Sequence, residues 1–130
     1  MTEITQIWLG MVISCAVTPL VLMIFGWRFL KKPPQKINRY YGYRTKRSMK
    51  NQDTWMYAHK CCGELWIAMG RWLLPVTLGA MLLSYYGGEV VILAVGGVIM
   101  VVDVAVAFWT YYKVEEQLKS AFDEMGKRRA

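Results

Sequence analysis

The sequence predicts an all-α integral membrane protein: three transmembrane helices, with an ordered basic cytoplasmic loop and a short interfacial helix between spans 1 and 2. Two observations predict it. Charge is absent from Ile4 to Trp27, reduced to Arg71 alone from Leu65 to Gly88, and reduced to Asp103 alone from Val90 to Tyr112. Each window holds 23 or 24 residues, enough to cross roughly 30 Å of hydrocarbon at about 1.5 Å per residue. The second observation is that ten of the sixteen basic residues lie between Arg28 and Lys60, ahead of the second window, where Asp53 is the one acid. A soluble bundle would need a polar face on every helix. The first window offers only Thr5, Gln6, Ser14, Cys15 and Thr18 for such a face.

Residues 1–130 read as a single membrane domain, with spans at about 4–30, 64–86 and 89–112, a loop at about 31–60 and a tail at 113–130. The first span ends near Leu30 or Lys32, because Pro33 and Pro34 cannot continue a helix. It is not expected to be a cleaved signal peptide, which would need a basic start, whereas Glu3 is the only charge before it. The basic loop then belongs in the cytoplasm by the positive-inside rule. That puts the N-terminus outside and the C-terminal tail, with Lys127, Arg128 and Arg129, on the cytoplasmic side of a plasma membrane. A helix restarts at Asn51 or Asp53, either of which can cap it, and runs along the interface into the second span. Trp8, Tyr85 and Tyr86 suit the outer interface, and Trp27, Trp109, Tyr111 and Tyr112 the inner one. Pro19 and Pro75 sit inside spans, which membrane helices tolerate. Gly79, Ala80 and Ser84, with Ala94, Gly96 and Gly97, are small enough to bring the second and third spans close together.

Arg71 and Asp103 call for a physical reason, since a charge at the centre of a membrane helix costs at least about 2.5–3.5 kcal/mol. Counted from the Gly87–Gly88 turn they lie 16 and 15 residues away, so a hairpin brings them to nearly one depth, roughly 23 Å below the turn. Glu64, seven residues before Arg71, shares its face. One account is an Arg71–Asp103 pair that locks the hairpin. The other is an intramembrane polar cluster of Glu64, Arg71 and Asp103 that binds a substrate or relays a proton, as in a small oligomeric transporter or lipid-handling protein.

The loop holds more than topology requires. Basic charge alone would hold it against anionic headgroups at about 1 kcal/mol per base. Yet "NRYYGYRTKRSMKN" also supplies Gly42 for a left-handed turn, Asn, Ser and Thr side chains that close local turns, and aromatic anchors. No cofactor motif, nucleophile–base pair or carboxylate dyad is present, so an enzyme is not expected. His59, Cys61 and Cys62 do not form a recognised metal pattern. The cysteines face no oxidising compartment on this topology, so a disulfide is not expected either. Topology accounts for the basic charge, so no nucleic-acid partner is expected.

The stretch "PPQKINRYYGYRTKRSMKNQDTWMYAHKCCGELW" closely resembles the signature of the SdpI-like membrane proteins of bacteria, here in a short three-span form. The residues that carry the resemblance are Pro34, Asn38, Tyr41, Gly42, Arg44, Thr45, Ser48, Asn51 and Trp55, with His59 and Gly63 extending it. The resemblance implies a non-enzymatic immunity or signalling protein that protects against a membrane-active peptide toxin and draws a cytoplasmic regulator to the membrane. It also implies that the loop set Asn38, Tyr41, Gly42, Arg44, Thr45, Ser48, Asn51, Trp55 and His59 is the working surface. Arg44 then has two readings. Its planar guanidinium suits a phosphate or carboxylate partner, or it caps carbonyls or pairs with Asp53 within the loop. The expected partners are the lipid bilayer, a peptide toxin or regulator, and further copies of the chain.

Overall fold

The computed structural model describes residues 1–129 and contains three long helices: α1 (Glu3–Lys31), α2 (Gln52–Ser84) and α3 (Glu89–Ala121). All three are long and apolar enough to cross a membrane, and the protein is a multi-pass membrane protein of all-α class. Large apolar side chains such as Ile13, Leu83, Val101 and Phe108 are at least 65% exposed on the bundle's outside. Contiguous apolar surface on that scale would be an aggregation hazard in water and is the expected coat in lipid.

Local chemistry sets the helix ends. Thr2 caps α1 by accepting from the Thr5 N–H at 3.2 Å, and the helix stops where Pro33 and Pro34 begin. Asn51 caps α2 in a reciprocal box: the Thr54 N–H donates to Asn51 Oδ1 at 2.9 Å and the Asn51 N–H to Thr54 Oγ1 at 3.0 Å. The expected interfacial helix is the first part of α2, continuous with the span that follows. A single 3₁₀ turn, Tyr85–Gly87, with Gly88 at φ +84°, joins α2 to α3. Beyond Tyr112 α3 continues unbroken through Lys113 to Ala121.

The helices meet along narrow seams. On α1 the buried residues are Cys15, Pro19, Leu22, Gly26 and Phe29, spaced four and three apart as a two-helix seam requires. Gly26 and Gly63 allow α1 and α2 to touch backbone to backbone. A β-carbon on Gly26 would lie 2.9 Å from the Gly63 carbonyl oxygen, and one on Gly63 would lie 2.8 Å from the Gly26 oxygen. The small residues expected to serve the α2–α3 contact are only partly used this way. Gly96 packs beneath Met11 of α1, while Gly79 and Gly97 have open space where a side chain would go. At the end bearing the 3₁₀ turn, Cys15, Met81 and Ile92 form a small core. There the Trp8 indole N–H donates to the Met81 carbonyl at 2.6 Å. At the opposite, basic end a larger core gathers Phe29, Ala58, Cys61, Cys62, Val114, Leu118 and Phe122 around Tyr43 of the loop.

Gly63→Val places branched carbons where two backbones now touch. It is expected to lower stability by about 1–3 kcal/mol, read as a fall in the thermal midpoint of the detergent-solubilised protein. An unchanged midpoint would show that this contact does not hold α1 to α2.

Candidate functional site

The loop between α1 and α2 folds around one imidazole. Tyr43 N–H donates to His59 Nε2 at 2.9 Å, and His59 Nδ1 lies 2.7 Å from the Trp55 carbonyl oxygen. A backbone N–H can only donate and a carbonyl can only accept, so His59 is neutral with its proton on Nδ1. Its ring is fully buried and wedged between Phe29 and Trp55, at 4.8 and 4.4 Å between ring centroids. Gly42 makes the approach possible. It sits at φ +120°, and a β-carbon there would come within 2.6 Å of His59 Nε2.

The other signature residues hold this arrangement from either side. Asn38 Oδ1 accepts from the N–H groups of Tyr40 and Tyr41 at 2.9 and 2.7 Å, closing the loop's first turn. Tyr41 lays its ring against Phe25 and Phe29. Thr45 and Ser48 close the second turn: Thr45 N–H donates to Ser48 Oγ at 2.8 Å and Ser48 N–H to Thr45 Oγ1 at 3.1 Å. The Ser48 hydroxyl donates to the Tyr43 carbonyl at 2.8 Å. Trp55 is fully buried and its indole N–H reaches the Pro34 carbonyl at 2.6 Å. Of the nine loop residues expected to form a working surface, Gly42, Ser48, Trp55 and His59 are thus spent inside, while Asn38, Tyr41, Thr45 and Asn51 tie the loop together. Arg44 is exposed, and its guanidinium donates to the Arg39 carbonyl within the loop rather than to Asp53.

Tyr43, absent from the expected set, is the residue that joins the loop to α3. Its hydroxyl donates to Glu115 Oε1 at 2.7 Å, and Glu115 Oε2 lies 3.7 Å from Arg47. Burial first, then the Glu115 hydrogen bond, pushes the Tyr43 hydroxyl well above its ordinary range, so it stays a donor. Alternation of Tyr40, Tyr41 and Tyr43 gives no sign of which ring points inward.

The tail completes the basic end. Phe122 and Arg128 form an antiparallel bridge around a turn with Gly126 at φ +80°. Asp123 Oδ1 accepts from the Lys127 and Met125 N–H groups, both at 2.9 Å. Those bonds, Lys127's above all, hold the Asp123 carboxyl below the usual carboxylate range. Asn51, besides capping α2, donates to the Gly126 carbonyl at 2.7 Å. In the sequence, Asp123 and Gly126, three residues apart, are the local signal of this turn. Loop, α3 and tail together enclose an open cavity of about 640 Å³.

The intramembrane cluster does not assemble. Asp103 is 3% exposed on the inner seam of α3, and its Oδ1 has no hydrogen-bond partner. Arg71 and Glu64 are exposed on the outside of α2. Among the described residues the ion pairs are Arg47–Glu115 and Lys113–Glu116, so Arg71 and Asp103 do not lock the hairpin. The reason is rotational. Gly70 faces α1, packed beneath Met23, and Arg71 follows about 100° further round the helix. Its Cα–Cβ bond leans toward the N-terminus of α2, which is the basic end.

Residues 35–111, more than half of the chain, match the model of the SdpI/YfhL protein family. The chain is also 32% identical over 110 residues to a protein of Bacillus subtilis (strain 168) named "Uncharacterized protein YfhL", across 84% of this chain and 90% of that one. No solved structure matches it significantly.

Two variants test the site. His59→Phe keeps the ring but removes the acceptor for Tyr43. It is expected to cost about 1–3 kcal/mol and to speed hydrogen exchange at the Tyr43 amide at least about tenfold, with helical content unchanged. Asp103→Asn removes an unpaired buried carboxylate. It is expected to fold in at least wild-type yield, and a clear loss of folded protein would reveal a partner for Asp103.

Proposed function

The chain belongs to the SdpI/YfhL family, and from that membership and its folded basic loop we propose a non-enzymatic membrane protein of immunity or signalling. The observation that carries the reading is that signature residues are consumed in fixing the loop's shape. All nine bond, cap or pack within the protein, Arg44 alone doing so from an exposed position. A loop that only anchored topology would need charge and no shape. A fixed, cationic surface at one end of a membrane bundle suits recognition, either of a cytoplasmic regulator or of the consequences of a membrane-active peptide toxin. The charge distribution favours a plasma-membrane orientation with the loop and tail in the cytoplasm and the N-terminus outside. The rival reading, transport or lipid handling through Glu64, Arg71 and Asp103, has no support from their placement, since only Asp103 faces the bundle interior.

Deleting the gene and challenging cells with membrane-active peptides tests this. Deletion is expected to sensitise the cells. Wild-type protein and Asp103→Asn are expected to restore protection, and Gly42→Val, which unseats the loop from His59, is not. Unchanged sensitivity across such peptides would remove the immunity reading, and full protection by a Gly42→Val protein with a demonstrably unfolded loop would separate function from loop.

A further inference from the structure

The cavity at the basic end has walls of opposite character. Arg44, Thr45, Lys46, Arg47 and Lys50 approach from the loop, and α3 and the tail supply Glu115, Asp123 and Glu124. The charges do not simply cancel across it. Glu115 is engaged by the Tyr43 hydroxyl and by Arg47. Asp123 is engaged by backbone N–H groups of its own turn. Among the described residues Lys46 and Lys50 have no carboxylate within ion-pair distance, and neither does Arg44. Three cations therefore remain against Glu124, which is exposed. The lining also includes the half-exposed ring of Tyr111, backed by the buried core residues Leu118 and Phe122.

Size and position narrow the occupant. About 640 Å³ falls in the range of organic-ligand sites, roughly 300–1,000 Å³. A bare inorganic anion, a few times a water's share of about 30 Å³, would leave most of it empty. Tyr111 lies on α3 at the level of Trp109 and Tyr112, exposed aromatics of the kind that sit among lipid headgroups. At that depth the abundant anion is a phosphate ester carrying an apolar body. We propose that this cavity is a binding site for the phosphate of an anionic phospholipid headgroup. Lys46, Lys50 and Arg44 neutralise the phosphate, and the exposed ring of Tyr111 receives the glycerol and the first carbons of the chains. This is a single built site, distinct from the diffuse attraction of ten bases to a charged membrane, and it does not depend on the immunity reading.

The test uses the full chain, purified in a neutral detergent, titrated with short-chain phosphatidylglycerol, short-chain phosphatidylcholine, glycerol 1-phosphate and an acidic peptide. Phosphatidylglycerol is expected to bind and phosphatidylcholine not. Lys46→Gln/Lys50→Gln, both exposed positions, is expected to weaken binding at least about tenfold, since each base near a phosphate surface is worth about 1 kcal/mol. Lys31→Gln/Lys32→Gln removes the same charge outside the cavity and is expected to change it less than about twofold. Glycerol 1-phosphate binding as tightly as the lipid would support the phosphate site while assigning it a soluble ester, and weak binding of it assigns the membrane as the source. Equal losses in the two double variants, or an acidic peptide binding more tightly than any phosphate ester, would overturn the proposal.

Discussion

Whether the loop belongs to the bundle is decided at His59 Nε2. That nitrogen accepts from the Tyr43 N–H, and nearly every signature residue can be ranked by how it serves that one bond. Gly42 clears the space in front of it. Trp55 and Phe29 hold the ring upright, and the Trp55 carbonyl fixes its proton on the far nitrogen. Once Tyr43 is drawn down, its side chain enters the core and its hydroxyl reaches Glu115 on α3. A buried polar network of this kind confers a unique arrangement only when every member is satisfied. Here both ring nitrogens and the Tyr43 hydroxyl are. The loop is thereby packed as a cap on one end of the three-helix bundle.

The membrane part is organised by close approach, with a few polar contacts such as Trp8 to the Met81 carbonyl and Trp66 to Thr110. Lipid gives no hydrophobic reward for bringing helices together, so association must come from dense packing. Gly26 against Gly63 and Gly70 beneath Met23 provide it between α1 and α2, and Gly96 beneath Met11 provides it for α3. The one carboxylate on the seam, Asp103, adds no visible bond. Arg71, the other lone charge, is left on the lipid face at a depth from which it can stretch toward the interface.

Much of this was legible in the sequence because bulk composition and charge placement speak directly to a bilayer. Three uncharged or singly charged windows gave the spans, and the prolines after Lys32 and the cap at Asn51 gave the loop's edges. What could not be read was rotation. Arg71 and Gly70 differ by one position and by the whole question of inside or outside, and matched depth with Asp103 says nothing about azimuth. The loop residues posed a related ambiguity. A motif shows that particular side chains are required but not whether they face a partner or each other. Gly42, Trp55 and His59 face each other, and Asn38 and Ser48 close the loop's own turns, which left Arg44 and the less distinctive Lys46 and Lys50 beside the open cavity. The tail's part was hidden because its contact with Asn51 spans the chain, from residue 51 to Gly126.

α3 is a single uninterrupted element of 33 residues, about 50 Å end to end, and its last third forms a wall of the cavity through Glu115 and Leu118. A stiff lever of that length converts small angles into usable distances: rocking by about 5° around its far tip sweeps the near end through about 4 Å. Helices reorient by such angles when the surrounding lipid thins or thickens. A tilt of that size would carry the Glu115 and Leu118 wall of the cavity with it, along with whatever the loop has bonded to that wall through Tyr43 and Arg47.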